Sequence, residues 1–191
     1  MRLILLPLTL IAIFDTPAFA HPGPDHTHSL TSGILHPLTG ADHVFAMASV
    51  GLWAAFVGGR AIWAWPATFI TVMLAGFCAA RLGLQISFVE SAISASILIL
   101  GVLAAAGVRV PIAVGAAVVG LLFGFFHGHA HGTEATGASV LPYAAGFTFS
   151  TAVLHGAGIG LGLSIRSLIE RLSVTPMRGL RSAVGGDEGL R

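Results

Sequence analysis

Three apolar stretches of this chain carry histidine at positions where a membrane segment normally carries none. The densest is HPLTGADH, residues 36–43, which sets His36, Asp42 and His43 inside a segment otherwise apolar enough to cross a bilayer. Two later apolar segments hold FHGHAH (126–131) and LHGAG (154–158), and with them His127, His129, His131 and His155. Ionisable groups at membrane depth are expensive, and where they are kept they face a bundle interior and line an ion or proton path. Imidazole combined with carboxylate is a donor set for first-row transition metals. Three separate histidine-bearing segments therefore predict one shared metal site.

Spacing refines the expectation. His36 and His43 are seven residues apart, two turns of a helix, so a continuous helix sets both on one face. Met47 continues that stripe and reads as core packing. Asp42 stands about 100° round from His43, near enough to hold it or to coordinate from the flank. Gly40 is a weak point at which such a helix can open and free backbone carbonyls. His127 and His131, at i and i+4, have a chelating spacing, whereas His129 is turned away and is expected to face solvent. The cluster is expected at the outer mouth of its span. His155 lies mid-segment among small residues, one turn after Thr151, and is expected to face the interior. Glu90, near the outer end of another apolar segment, can pair with a cation or complete a metal site. Each has a plainer reading: hydrogen bonding between helices for His36, His43 and His155, a His-rich loop that binds metal only incidentally for His127, His129 and His131, and an interfacial carboxylate for Glu90. Upstream, His21, Asp25, His26 and His28 read as a weak external metal collector. Pro22 has no N–H, so that segment cannot bind through a deprotonated amide at that position.

The elements that position these residues are expected to be membrane helices. Hydrophobic residues make up 55% of the chain and charged residues 9%, where soluble domains carry about 25% charged; the mean hydropathy is +0.89. A chain of 191 residues makes one compact bundle and leaves no room for a soluble domain beside it. Lysine is absent and the nine arginines are scattered or in the tail, which gives no phosphate-binding stripe and no nucleic-acid partner. The single Cys78 has no internal disulfide partner and reads as a small packing residue.

Residues 1–20 read as a cleaved signal peptide: Arg2 is the positive n-region, Leu3 to Phe14 the apolar core, and Ala18-Phe19-Ala20 the cleavage site. Residues 21–33 then form a periplasmic, His-containing N-terminal segment. A transmembrane helical bundle occupies 34–165, with spans near 34–57, 65–80, 86–106, 110–126 and 140–165, each close to the roughly 20 residues that a bilayer requires. Residues 166–191 make a polar, Arg-rich cytoplasmic tail. This topology puts Arg60, Arg109, Arg166, Arg171, Arg178, Arg181 and Arg191 inside and only Arg81 outside, a positive-inside bias. Trp53, Trp63 and Trp65 bracket the first cytoplasmic loop as interfacial aromatics. The fold class is thus an all-α membrane protein, a bundle of about five transmembrane helices after a cleaved signal peptide.

HPLTGADHVFAMASVGLWAA, FHGHAHGTE and TFSTAVLHGAGIGLG, in this order, resemble the HupE/UreJ family of bacterial membrane proteins from about His21 to Gly162. The resemblance implies a nickel or cobalt permease of the bacterial inner (cytoplasmic) membrane, multi-pass with its N-terminus periplasmic, serving hydrogenase or urease maturation. It implies His36, Asp42 and His43 as transport ligands, with His127, His131 and His155 as further candidates. The first motif is also similar to the H-x4-D-H signature of larger nickel/cobalt transporters, although here the spacing is H-x5-D-H. Family members carry a further apolar span after the LHGAG helix, where this chain has RLSVTPMRGLRSAVGGDEGLR.

The leading expectation is a secondary permease, since there is no G-x-x-x-x-G-K-[ST] motif. In this reading His21, His26 and the His127/His131 end gather external Ni2+. The ion sheds water at His36 and passes to His43 and Asp42, with His155 opposite. Protonation of these imidazoles below about pH 6 weakens binding. No permanently bound cofactor is expected. The partners are Ni2+ or Co2+, the lipid bilayer, and a second copy or a metal-delivery protein. Two alternatives stand beside it. One is an intramembrane metallohydrolase, with Zn2+ and an activated water, although H-E-x-x-H is absent. The other is a metal-binding accessory subunit or sensor that does not transport.

Overall fold

The first apolar segment folds as two helices. In the computed structural model, which describes residues 29–135 and 140–184, α1 (Leu30–Thr39) and α2 (Ala41–Val57) meet at Gly40 with a bend of 81°. Pro37 sits inside α1, has no N–H for the carbonyl one turn back, and weakens the last turn. Gly40 then takes an extended conformation (φ −85°, ψ 115°). α1 is anchored at its start by Ser29 and Ser32, whose hydroxyls accept each other's backbone N–H at 3.2 and 2.7 Å, a reciprocal capping arrangement. α2 restarts where Val44 N–H donates to the Gly40 carbonyl at 3.0 Å.

The chain continues through α3 (Ala61–Arg81), α4 (Val89–Ala105), α5 (Ile112–Glu134) and α6 (Val140–Val184). α5 includes a π-helical stretch, Val118–Gly124. All regular structure among the described residues is helical. By length and composition α3, α5 and α6 can each cross a membrane, and the bent α1–α2 pair makes a fourth if it counts as one span. The expectation of five spans is matched only in part. Each expected segment holds helix, but α4 has 17 residues, about 25 Å against a core of about 30 Å. The expected signal peptide and the segment with His21, Asp25, His26 and His28 lie outside the described residues.

Two helix ends fall later than the sequence suggested. α5 runs past Phe126 to Glu134, so His127, His129 and His131 lie within the helix. α6 runs past Ile165 to Val184, so the first part of the polar tail is helical.

α2 packs chiefly on α6 and α4, α3 on α5, and α1 on α6. The core between them holds Trp53, Trp65, Phe69, Met47, Met73, Leu100 and Phe147, all at most 1% exposed. The outer surface carries Leu98, Ile99, Leu121, Leu122, Phe149 and Leu161, the apolar exterior expected of a multi-pass membrane protein. Of the three tryptophans expected at the interface, only Trp63 is exposed. Trp53 and Trp65 are buried with ring centroids 4.4 Å apart. Their indole N–H groups donate to Val108 O at 2.7 Å and Ile112 O at 2.9 Å, because a buried indole needs an acceptor and the α4–α5 connection and the first residue of α5 supply one each. Cys78, expected to pack inside, is exposed on α3.

Glycine sets the helix separations. Gly120, Gly124, Gly128 and Gly132 recur every fourth residue on the face of α5 that meets Thr68, Phe69, Met73 and Phe77 of α3. Small residues at this spacing let membrane helices approach to backbone contact. Gly51 and Gly158 do the same between α2 and α6, and Gly33 and Gly146 between α1 and α6. A Cβ at Gly128 would overlap the Met73 backbone, whereas one at Gly156 meets nothing within 4 Å. Gly128→Val is therefore expected to destabilise the bundle by about 1–3 kcal/mol or more, and Gly156→Ala to leave it unchanged. Thermal unfolding of the two variants in detergent checks the contrast; equal melting of both would contradict this packing.

Candidate metal centre

The bend at Gly40 turns the end of α1 back over the start of α2, and α5 passes beside both. His43 is the hub. Its ring centroid is 5.1 Å from each of His36, His127 and His131, and His36 lies 4.8 Å from His131. One ring nitrogen from each of His36, His43 and His131 falls within 4.8 Å of the other two. His43 is 5% exposed, and His127 and His131 are fully buried. Two carboxylates flank the imidazoles: Asp42 Oδ1 is 3.0 Å from His43 Nδ1, and Glu134 Oε2 is 3.7 Å from His36 Nε2.

Aromatic rings hold the imidazoles in place. Phe147 of α6 stacks on His131 at 4.7 Å and 17°. Tyr143 stands edge-on to both His36 and His131, and Phe69 of α3 lies against His127 at 5.8 Å. With the rings so fixed, neither ring nitrogen of His127 or of His131 has a hydrogen-bond partner among the described residues, and the Asp42 contact of His43 Nδ1 lies off the line of a hydrogen bond. A buried polar atom left unpartnered costs about 1–3 kcal/mol, and a cluster of them calls for a water or an ion. Converging imidazole nitrogens with two carboxylates at the edge suit a divalent transition metal.

The structure brings together five of the residues singled out in the sequence: His36, Asp42, His43, His127 and His131. The reason differs from the one expected for His36 and His43, which meet across a bend rather than along a stripe. His155 is buried one ring further on, edge-on to Phe69 at 5.1 Å. Glu90 is exposed at the start of α4, outside the cluster. His21 and His26 lie outside the described residues. His129, expected to face solvent, is 1% exposed, and its Nε2 is 2.8 Å from Leu84 O. Because α5 continues past it, α3 and α4 enclose this face as well. Sequence reasoning missed Glu134, Tyr143 and Phe147. Glu134 is one turn beyond His131 on α5 and becomes visible once the helix is carried through FHGHAHGTE.

The profile described as "HupE / UreJ protein" matches residues 8–187. The chain belongs to the HupE/UreJ family. A curated HupE/UreJ relative, "Protein HupE" of Rhizobium leguminosarum bv. viciae, is 40% identical over 155 residues, which cover 80% of this chain and 81% of that protein. No solved structure matches. The family match spans all six helices of the cluster and its supports.

The burial of His129 generates a test. In His129→Ala the Leu84 carbonyl loses a hydrogen bond with a net worth of about 0.5–1.5 kcal/mol. Amide hydrogen exchange is then expected to rise across residues 82–88 and to stay unchanged in α2. Unaltered exchange in that loop would show that His129 does not tie it down.

Proposed function

We propose that this chain is a secondary permease that carries Ni2+, or Co2+, across the bacterial inner membrane for the maturation of hydrogenase or urease. The observation that supports it most is the convergence of His36, His43 and His131 from three helices, with donor atoms within 4.8 Å of one another. Metal–imidazole bonds of about 2.1 Å allow donors up to about 4.2 Å apart, so modest side-chain rotation closes the three nitrogens on an ion. Imidazole suits Ni2+, and a divalent charge beside Asp42 and Glu134 is formally balanced, which lowers its cost inside a membrane.

In this reading residues 1–20 are a removed signal peptide, and residues 21–33 begin outside with His21 and His26 as a collector. The bent α1–α2 pair, α3, α4, α5 and α6 make five crossings, with the Arg-rich end of α6 in the cytoplasm. The ion exchanges water for His36, assisted by Glu134. It moves to His43 and His131, and Asp42 and His127 complete its surroundings. The residues do ligand exchange only; no bond of a substrate is broken, so no catalytic role is assigned.

Radiolabelled Ni2+ uptake by nickel-starved cells tests the proposal. His43→Ala and His131→Ala, with the protein confirmed in the membrane, are expected to abolish accumulation, and Co2+ to compete with Ni2+. Uptake unaffected by either variant would overturn it.

Gly40 gives a subtler probe. A Cβ there would stand 2.8 Å from Asp42 Oδ1 and 2.9 Å from His43 Nδ1, so both side chains must shift. Gly40→Ala is expected to weaken Ni2+ binding about 10-fold or more while the protein remains folded. Unchanged affinity in a binding titration would contradict the role given to this corner.

A further inference from the structure

His155 stands apart from the four-histidine cluster and yet shares the unpartnered character of His127 and His131. It is 1% exposed, and neither Nδ1 nor Nε2 has a hydrogen-bond partner among the described residues. The ring of Phe69 lies 5.8 Å from His127 and 5.1 Å, edge-on, from His155. One aromatic side chain thus touches both the outer cluster and His155. Thr151, one turn before His155 on α6, is fully buried, and its hydroxyl donates towards the thioether sulfur of Met73 on α3 at 3.9 Å. Met73 is itself fully buried. Imidazole nitrogen, hydroxyl oxygen and thioether sulfur are therefore grouped on two facing helices beyond Phe69.

We propose that His155, Thr151 and Met73 form a second, inner station for a divalent metal ion, separated from the outer cluster by Phe69. The inference deepens the permease reading and rests on it for its role in flux, though the station itself is a binding site that can be tested without transport. A buried methionine alone is usually a gap-filler. Here the neighbouring His155 has both imidazole nitrogens without a hydrogen-bond partner among the described residues, which is costly for a buried group if nothing occupies it. The donor set also fits a release step. One imidazole with a hydroxyl and a thioether holds Ni2+ more weakly than three imidazoles flanked by carboxylates, and conduction requires sites weak enough to leave. Passage is ligand exchange: Ni2+ gives up outer-cluster nitrogen, passes the Phe69 ring and takes a nitrogen of His155, with no change in oxidation state.

The test uses the purified full chain with Ni2+ as the probe. In His43→Ala/His131→Ala, which dismantles the outer cluster, bound Ni2+ is expected to show a sulfur neighbour by X-ray absorption. That neighbour should disappear when Met73→Leu is added, which separates Met73 from Cys78 as its source. Bound Ni2+ with only nitrogen and oxygen neighbours, or no bound Ni2+, would overturn the station. Because the double variant is the one most exposed to misfolding, the single variants Met73→Leu and Thr151→Val carry a second readout. Each is expected to lower the maximal rate of Ni2+ uptake about tenfold at unchanged KM, and uptake at the wild-type rate in both would reject the station. A sulfur signal from a chain that moves no Ni2+ would uphold the station and reject the permease. Uptake with no sulfur signal and wild-type rates would do the reverse.

Discussion

An unbroken helix from Leu30 to Val57 would keep His36 and His43 about 10 Å apart along its axis. The 81° bend at Gly40 brings their rings to 5.1 Å and leaves room for His131 of α5 to reach both. Pro37 and Gly40 make the bend inexpensive: one lacks an N–H, the other takes the extended backbone between the helices. At the break the Thr39 hydroxyl serves carbonyls of the last turn of α1, Leu35 O at 3.1 Å and His36 O at 3.2 Å. The four-histidine cluster is therefore a consequence of the break at Gly40.

The second requirement is that α5 lie close enough to deliver its histidines. The glycine ladder along α5 allows backbone contact with α3, and His127 and His131 each precede a glycine of that ladder, Gly128 and Gly132. The residues that set the approach and those that present the imidazoles are interleaved on one helix. Phe147 and Tyr143 of α6 then fix the imidazoles from the opposite side. With their rings held by packing, His127 and His131 keep both nitrogens without a hydrogen-bond partner among the described residues.

Much of this was legible in the sequence. Composition gave the helical membrane class, and the rarity of ionisable residues in apolar segments picked out His36, Asp42, His43, His127, His131 and His155 as the residues worth locating. Where the reading failed, the missing information was tertiary. Helical periodicity assumes a straight helix, so it put His36 and His43 on one stripe and could not give the angle at Gly40. Polar composition suggested that α5 stops at Phe126, so His129 was assigned to solvent and Glu134 went unnoticed; burial by α3 and α4 keeps that segment helical. Trp53 and Trp65 looked interfacial by position, yet the carbonyls of Val108 and Ile112, distant in sequence, let them be buried. Phe69 carries no signal as one phenylalanine among twelve, and only packing shows that it touches both His127 and His155.

Flux through the chain alone tests the account most directly. The measurement is Ni2+ entry into liposomes containing only the purified protein, driven by an inside-negative potential, for wild type and for His36→Ala. The account predicts saturable accumulation that scales with the amount of protein and is lost in the variant. Folded protein that admits no Ni2+, or admits it equally well without His36, would contradict it.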